Sequence, residues 1–129
     1  MTEPESIVMK FGGTSVEDAA AFRRVAGIVA DRLHLRPIVV VSAMSGMTDA
    51  LLISVELAAK GNPSAVVSLQ PQFARHAAVA EELLTPAAAE QFKAELERQR
   101  IELEAWLGRF SQEAPCRLAL QDAVVAFGE

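Results

Sequence analysis

Apolar residues in this chain first cluster in a short block, Ile7-Val8-Met9, so Ser6 to Met9 reads as a buried strand. From Val16 to Leu35, Phe22, Val25, Ala26, Val29 and Leu33 recur at helical spacing. Ser15 suits the N-cap of that helix, with Asp18 three residues on in a near capping box. Pro37 stops it, and Ile38-Val39-Val40-Val41 follows without alternation, the pattern of a strand covered on both faces. Strand, helix and strand over about 30 residues make one parallel, right-handed βαβ unit.

A small-residue loop, Ser42 to Thr48, leads to a second helix over about Thr48 to Lys60, with Leu51, Leu52, Val55 and Ala58 on one face and Gly61-Asn62-Pro63 ending it. Residues 64–111 carry no strand signal. Ser64 to Leu84 reads as one helix using Val66, Phe73, Ala77 and Ala80. Thr85-Pro86 then opens another, running to about Gly108 on Phe92, Leu96, Leu103 and Leu107. Arg98–Glu102 and Arg100–Glu104 stand at i,i+4 on it. The two helices are expected to form an antiparallel hairpin over or beside the sheet. A last helical segment, Arg117 to Phe127, carries Leu120, Val124 and Phe127. Two strands are few for a doubly wound sheet, so we expect residues 6–129 to be the N-terminal part of a longer protein, after a flexible acidic tail at 1–5.

Composition narrows the class. The chain has 129 residues, 51% hydrophobic and 22% charged, which is globular rather than disordered. With 12 basic against 17 acidic residues it carries −5, so a nucleic-acid footprint is not expected. Cys116 is the only cysteine, which excludes an internal disulfide and a cysteine metal cluster; it reads as a small apolar side chain. The acidic start is unlike a signal peptide, and no apolar run reaches the ~18 residues of a membrane span. The expectation is a soluble, cytoplasmic protein with no membrane partner.

Lys10-Phe11-Gly12-Gly13-Thr14-Ser15 joins the first strand to the first helix. It sets a positive charge at a strand end, bare N–H groups at two glycines and a helix start in succession, and all three attract phosphate. The lysine precedes the glycines, the reverse of a Walker A loop, and the glycine spacing is not the dinucleotide fingerprint. Ser42, Ser45, Gly46 and Thr48 belong to the loop after the second strand. In an open parallel sheet both loops lie on the edge where ligands bind. Each residue also has a plainer reading: Gly12-Gly13 as a tight turn, Lys10 as a solvated strand end, Ser15, Ser45 and Thr48 as helix caps. His34 and His76 read as surface or helix-face residues, and Trp106 and Phe110 as helix-packing residues.

Taken together, Lys10 to Ser15 resembles the K-F-G-G-T-S signature of aspartate kinases in the amino acid kinase superfamily. Val39 to Asp49 is similar to that family's V-V-S-A-x-x-G-x-T-[ND] segment, and Asp122 to Glu129 to its D-x-x-x-[SA]-x-G-E segment. Order and spacing agree across all three. The resemblance implies the N-terminal part of a three-layer α/β/α amino-acid-kinase fold and ATP-dependent phosphorylation of the L-aspartate side-chain carboxylate to 4-phospho-L-aspartate, the first step toward lysine, threonine and methionine. It implies that Lys10 stabilises charge on the transferring group, and that Lys10, Phe11, Gly12, Gly13 and Ser42 hold ATP. Thr48 and Glu129 would bind aspartate, and Mg2+ would accompany ATP. It also implies a homo-oligomeric full-length protein and an inactive isolated fragment. Another amino acid kinase, such as one acting on acetylglutamate, and a non-catalytic interaction module remain alternatives.

Overall fold

The computed structural model describes residues 6–110 and 117–128. The acidic tail at 1–5, Cys116 and Glu129 lie outside the described residues. The chain forms two compact units, one up to Ser45 and one from Gly46 on.

The first unit is the βαβ motif. Strand β1 (Val8–Phe11) pairs in parallel with β2 (Ile38–Val41), in the register Val8 to Ile38 and Phe11 to Val41. The first strand therefore lies two residues later than the apolar block suggests, and Lys10 is inside it, opposite Val40. Ladder pairing, not hydropathy, sets the boundary: β1 continues as long as it faces β2. Helix α1 (Ala19–Ala30) is shorter than its apolar pattern. Residues Gly13–Val16 form a 3-10 turn instead, and the N-cap is Asp18, whose carboxylate accepts from the Ala21 N–H at 2.7 Å. Ser15 is thus not the cap; its own N–H is bonded to the Gly12 carbonyl inside the turn. At the other end Leu33–Leu35 form a second 3-10 turn, and Arg36 takes a left-handed conformation (φ 50°) before Pro37.

Val16, Ala19, Ala21 and Val25 are buried. The expected cover on β2 is not found: Ile38, Val39, Val40 and Val41 are 41–56% exposed. A parallel strand of this composition needs a layer on each face, and the described residues do not supply both.

The second unit is helical. Helix α2 (Met47–Ala59) starts one residue before Thr48 and ends ahead of Gly61, which has φ +67°. Residues 64–84 are not one helix. A 3-10 turn, Val67–Leu69, precedes α3 (Gln70–Leu83), because Pro71 lacks an N–H and fits only at a helix's first turn. Thr85 caps α4 (Pro86–Arg109), accepting from the Ala88 N–H at 3.4 Å, with Pro86 at the first position as expected. Helices α3 and α4 pack as a hairpin pinned by Lys93 and Glu81 at 2.9 Å. Helix α5 (Arg117–Val125) is followed by a 3-10 turn, Ala126–Gly128, so the final helix ends earlier than expected. It packs on α2 and α4. Leu51, Leu69, Leu103, Phe110, Leu120 and Val124 are at most 2% exposed and form this unit's core. The surface of α4 is laced with ion pairs. Arg100 meets Glu104 at 3.2 Å as expected, whereas Arg98 pairs back to Glu95, not forward to Glu102.

Candidate functional site

In the first unit the parallel ladder carries Phe11 and Val41 to the same height, so the chain leaves both strands side by side. The two exits are tied together. The Ser42 N–H donates to the Phe11 carbonyl at 3.1 Å, and the Ser45 N–H to the Gly13 carbonyl at 3.2 Å. Gly13 is where they approach most closely. A Cβ there would stand 3.1 Å from the Ala43 carbonyl oxygen and 3.2 Å from the Ser45 nitrogen. A side chain at residue 13 would therefore push the loops apart by a few tenths of an ångström.

Gly12 differs. Its backbone is extended (φ −77°, ψ 176°), and a Cβ there would have no heavy atom within 4 Å. Nothing in the described chain requires glycine at this exposed position. Close approach of something outside the chain would require it, as phosphate oxygens approach bare backbone. Gly13 and Thr14 open the 3-10 turn, so their N–H groups have no partner inside it.

Lys10 is exposed, and no acidic partner among the described residues faces it. An exposed ammonium on the strand that leads into Gly12 and Gly13 makes this sheet edge attractive to anions. Ser42 is half-buried, and its hydroxyl donates to the Ala43 carbonyl at 2.9 Å, which leaves its oxygen free to accept. Of the residues expected to hold a nucleotide, Lys10 and Phe11 end β1, and Gly12, Gly13 and Ser42 lie on the two hydrogen-bonded loops.

Thr48 lies in the second unit, in the first turn of α2, half-buried. Neither Ser45 nor Thr48 caps this helix. The N-cap is Gly46, in a left-handed conformation (φ +81°), with no side-chain cap bond, so the helix N-terminus keeps unsatisfied N–H donors. The signal was a glycine one residue before the apolar pattern starts, a position where serine and threonine draw more attention. Glu129 lies outside the described residues, two positions after Phe127. Among the described residues no group of three His, Cys, Asp or Glu could hold a metal ion. No helix among them is long and apolar enough to cross a membrane.

The first unit is thus a parallel βαβ edge with two loops hydrogen-bonded side by side. Residues 5–129 match the amino acid kinase family, and the chain belongs to it. Its relatives within that family are aspartokinases. It is 30% identical over 122 residues to the chloroplastic bifunctional aspartokinase/homoserine dehydrogenase 2 of Zea mays, and 32% identical to the chloroplastic aspartokinase/homoserine dehydrogenase 1 of Arabidopsis thaliana. Each alignment covers 95% of this chain and 13% of the relative. The chain's fold matches that of E. coli aspartokinase III in complex with aspartate and ADP (R-state), with a TM-score of 0.80 and 31% identity over 97% of this chain and 26% of that one. The lysine- and aspartate-bound T-state of the same enzyme matches with a TM-score of 0.73.

Proposed function

We propose that this chain supplies part of the active site of an aspartate kinase that transfers the γ-phosphoryl group of ATP to the side-chain carboxylate of L-aspartate. The single observation carrying the reading is the Gly12–Gly13 pair on its two-loop edge beside Lys10. One glycine lets the loops approach closely; the other is bare toward solvent. Aspartate rather than acetylglutamate is favoured because the relatives are aspartokinases.

In this reading the backbone N–H groups at Gly12 and Gly13 and the ammonium of Lys10 face the phosphates, with Ser42 accepting or donating alongside. Mg2+ arrives with the nucleotide and neutralises phosphate charge; the described residues offer it no cluster of their own. Thr48 and Glu129 hold aspartate, the glutamate against its ammonium group. A carboxylate oxygen of aspartate attacks the γ-phosphorus, the new P–O bond forms as the bond to the ADP oxygen breaks, and the electron pair leaves on ADP. The nucleophile is already anionic, so the step needs positioning and charge stabilisation and no strong base. Lys10 is the residue proposed to meet the charge that develops on the equatorial oxygens. The protein is proposed to work in the cytoplasm as a homo-oligomer.

The test is ATP-dependent formation of aspartyl phosphate by the full-length protein, trapped as the hydroxamate, across a panel of aspartate, N-acetylglutamate and glutamate. Aspartate alone should give product, and Lys10→Met should lower its rate by roughly 10²–10³, the size of losing one preorganised charge-stabilising donor. Turnover of another acceptor, or full turnover by Lys10→Met, would overturn the reading.

A further inference from the structure

We propose that the α3–α4 hairpin sets the position of the two segments assigned to aspartate, through one small cavity that residues next to both segments share. This rests on the reading of Thr48 and Glu129 given above. The cavity, about 40 Å³, lies within the second unit and is lined by Met47, Phe73, His76, Leu96, Gln99 and Phe127.

The sequence position of these residues gives the cavity its meaning. Met47 is the first residue of α2 and the immediate neighbour of Thr48; its side chain is buried. Phe127 sits in the 3-10 turn after α5, two residues before Glu129. Residues flanking both proposed aspartate contacts therefore wall the same space. The remaining walls come from the hairpin, as an i,i+3 pair on each helix: Phe73 and His76 from α3, Leu96 and Gln99 from α4.

The polar members are oriented from within the hairpin. His76 Nδ1 lies 2.7 Å from the Gln72 carbonyl, which makes Nδ1 the donor there, and the Gln99 amide donates to Glu95 at 3.1 Å. The hairpin thus holds its side of the cavity from within, while Met47 opens α2 and Phe127 sits in the 3-10 turn that follows α5. Truncating a hairpin wall enlarges the cavity and loosens the residues on its other side, and weaker holding of aspartate that is equal in ground and transition states raises its KM and leaves kcat unchanged. Phe73 and Leu96 are only half-buried and lie outside the fully buried core, so they can be truncated without emptying it.

The experiment uses the full-length protein with Leu96→Ala, the milder Phe73→Leu, and Leu96→Met as the volume-conserving control. Amide hydrogen exchange is read at residues 47–50 and 126–128, with α1 as the internal reference, and KM is measured separately for aspartate and ATP. Leu96→Ala should speed exchange in both segments and leave α1 unchanged. It should raise the aspartate KM roughly tenfold, with ATP KM and kcat within about two-fold, and Leu96→Met should restore wild-type behaviour. Phe73→Leu should shift the same quantities in the same direction by less. Unchanged exchange in either segment, or exchange that speeds equally in α1, overturns the proposal. Faster exchange in both segments with an unmoved aspartate KM would uphold the coupling and overturn instead the assignment of Thr48 and Glu129.

Discussion

Gly12 and Gly13 are neighbours in sequence and should respond oppositely to the same substitution. In Gly13→Ala the new methyl carbon meets the Ala43 oxygen at 3.1 Å, the Ser45 nitrogen at 3.2 Å and the Ser45 Cα at 3.3 Å. All three are backbone atoms, and the loop bearing them is held by the Ser42 N–H to Phe11 bond at 3.1 Å. The loops must separate by a few tenths of an ångström, which strains the 3.2 Å bond from the Ser45 N–H to Gly13. Overpacking costs about 1–3 kcal/mol and a weakened hydrogen bond about 0.5–1.5 kcal/mol, so a loss of roughly 2–3 kcal/mol is expected. In Gly12→Ala the methyl meets nothing within 4 Å, and φ of −77° suits alanine. Stability should hold or rise by about 0.4–1 kcal/mol, because the unfolded chain loses freedom. Urea unfolding of both variants, compared at unchanged slope, reads the difference. Activity should invert the order of interest: Gly12→Ala, fully folded, should raise the KM for ATP, since its methyl would occupy the space proposed for phosphate. Equal destabilisation by the two substitutions would refute the steric argument, and an unaffected ATP KM in Gly12→Ala would refute the role given to that space.

Other outcomes follow from local geometry. Asp18→Ala removes the acceptor for the Ala21 N–H and should cost about 1 kcal/mol, with Asp18→Asn recovering most of it in the same unfolding assay. The α4 surface should respond to pH at both extremes. Hydrogen bonds from Arg98 hold Glu95, and from Arg100 hold Glu97, below their ordinary 4.5, so their stabilisation is complete above that pH and is lost as pH falls through the depressed values. Hydrogen bonds to Glu90 and Glu81 push Lys93 up from 10.5 to about 12, so its contribution is complete below 10.5 and fades as pH rises through about 12. These groups are exposed, so the changes in thermal midpoint should be small and should shrink further in high salt.

What the sequence made legible was periodicity and punctuation. Thr85-Pro86 fixed the start of α4 because a capping hydroxyl followed by a proline has few other uses. The parallel pairing of β1 and β2 followed from two apolar runs either side of a helical pattern. The errors came where a partner decides. Val8 to Phe11 is a strand because β2 lies alongside, so Lys10 fell inside it although its own propensity argued for the end. Asp18 displaced Ser15 as cap because the Gly13 turn uses the residues before it, a local competition hydropathy does not register. The loop contact at Gly13 was inferable only as adjacency on one sheet edge; that residue 13 and not residue 12 makes it required three dimensions. His76 read as an unremarkable helix-face residue, because the residues that share its cavity come from four separate stretches of chain.

The bare faces of β2 have a practical consequence. Ile38-Val39-Val40-Val41 is uncharged, free of proline and β-branched throughout, and it stands 41–56% exposed. Segments of this kind recruit further strands. Cover supplied by the same polypeptide acts at any dilution, whereas cover taken from another molecule becomes more competitive as concentration rises. Handling of this chain in solution should therefore be governed by concentration: aggregation set by these four residues, and relieved by a charged substitution such as Val40→Lys far more than by one on α4.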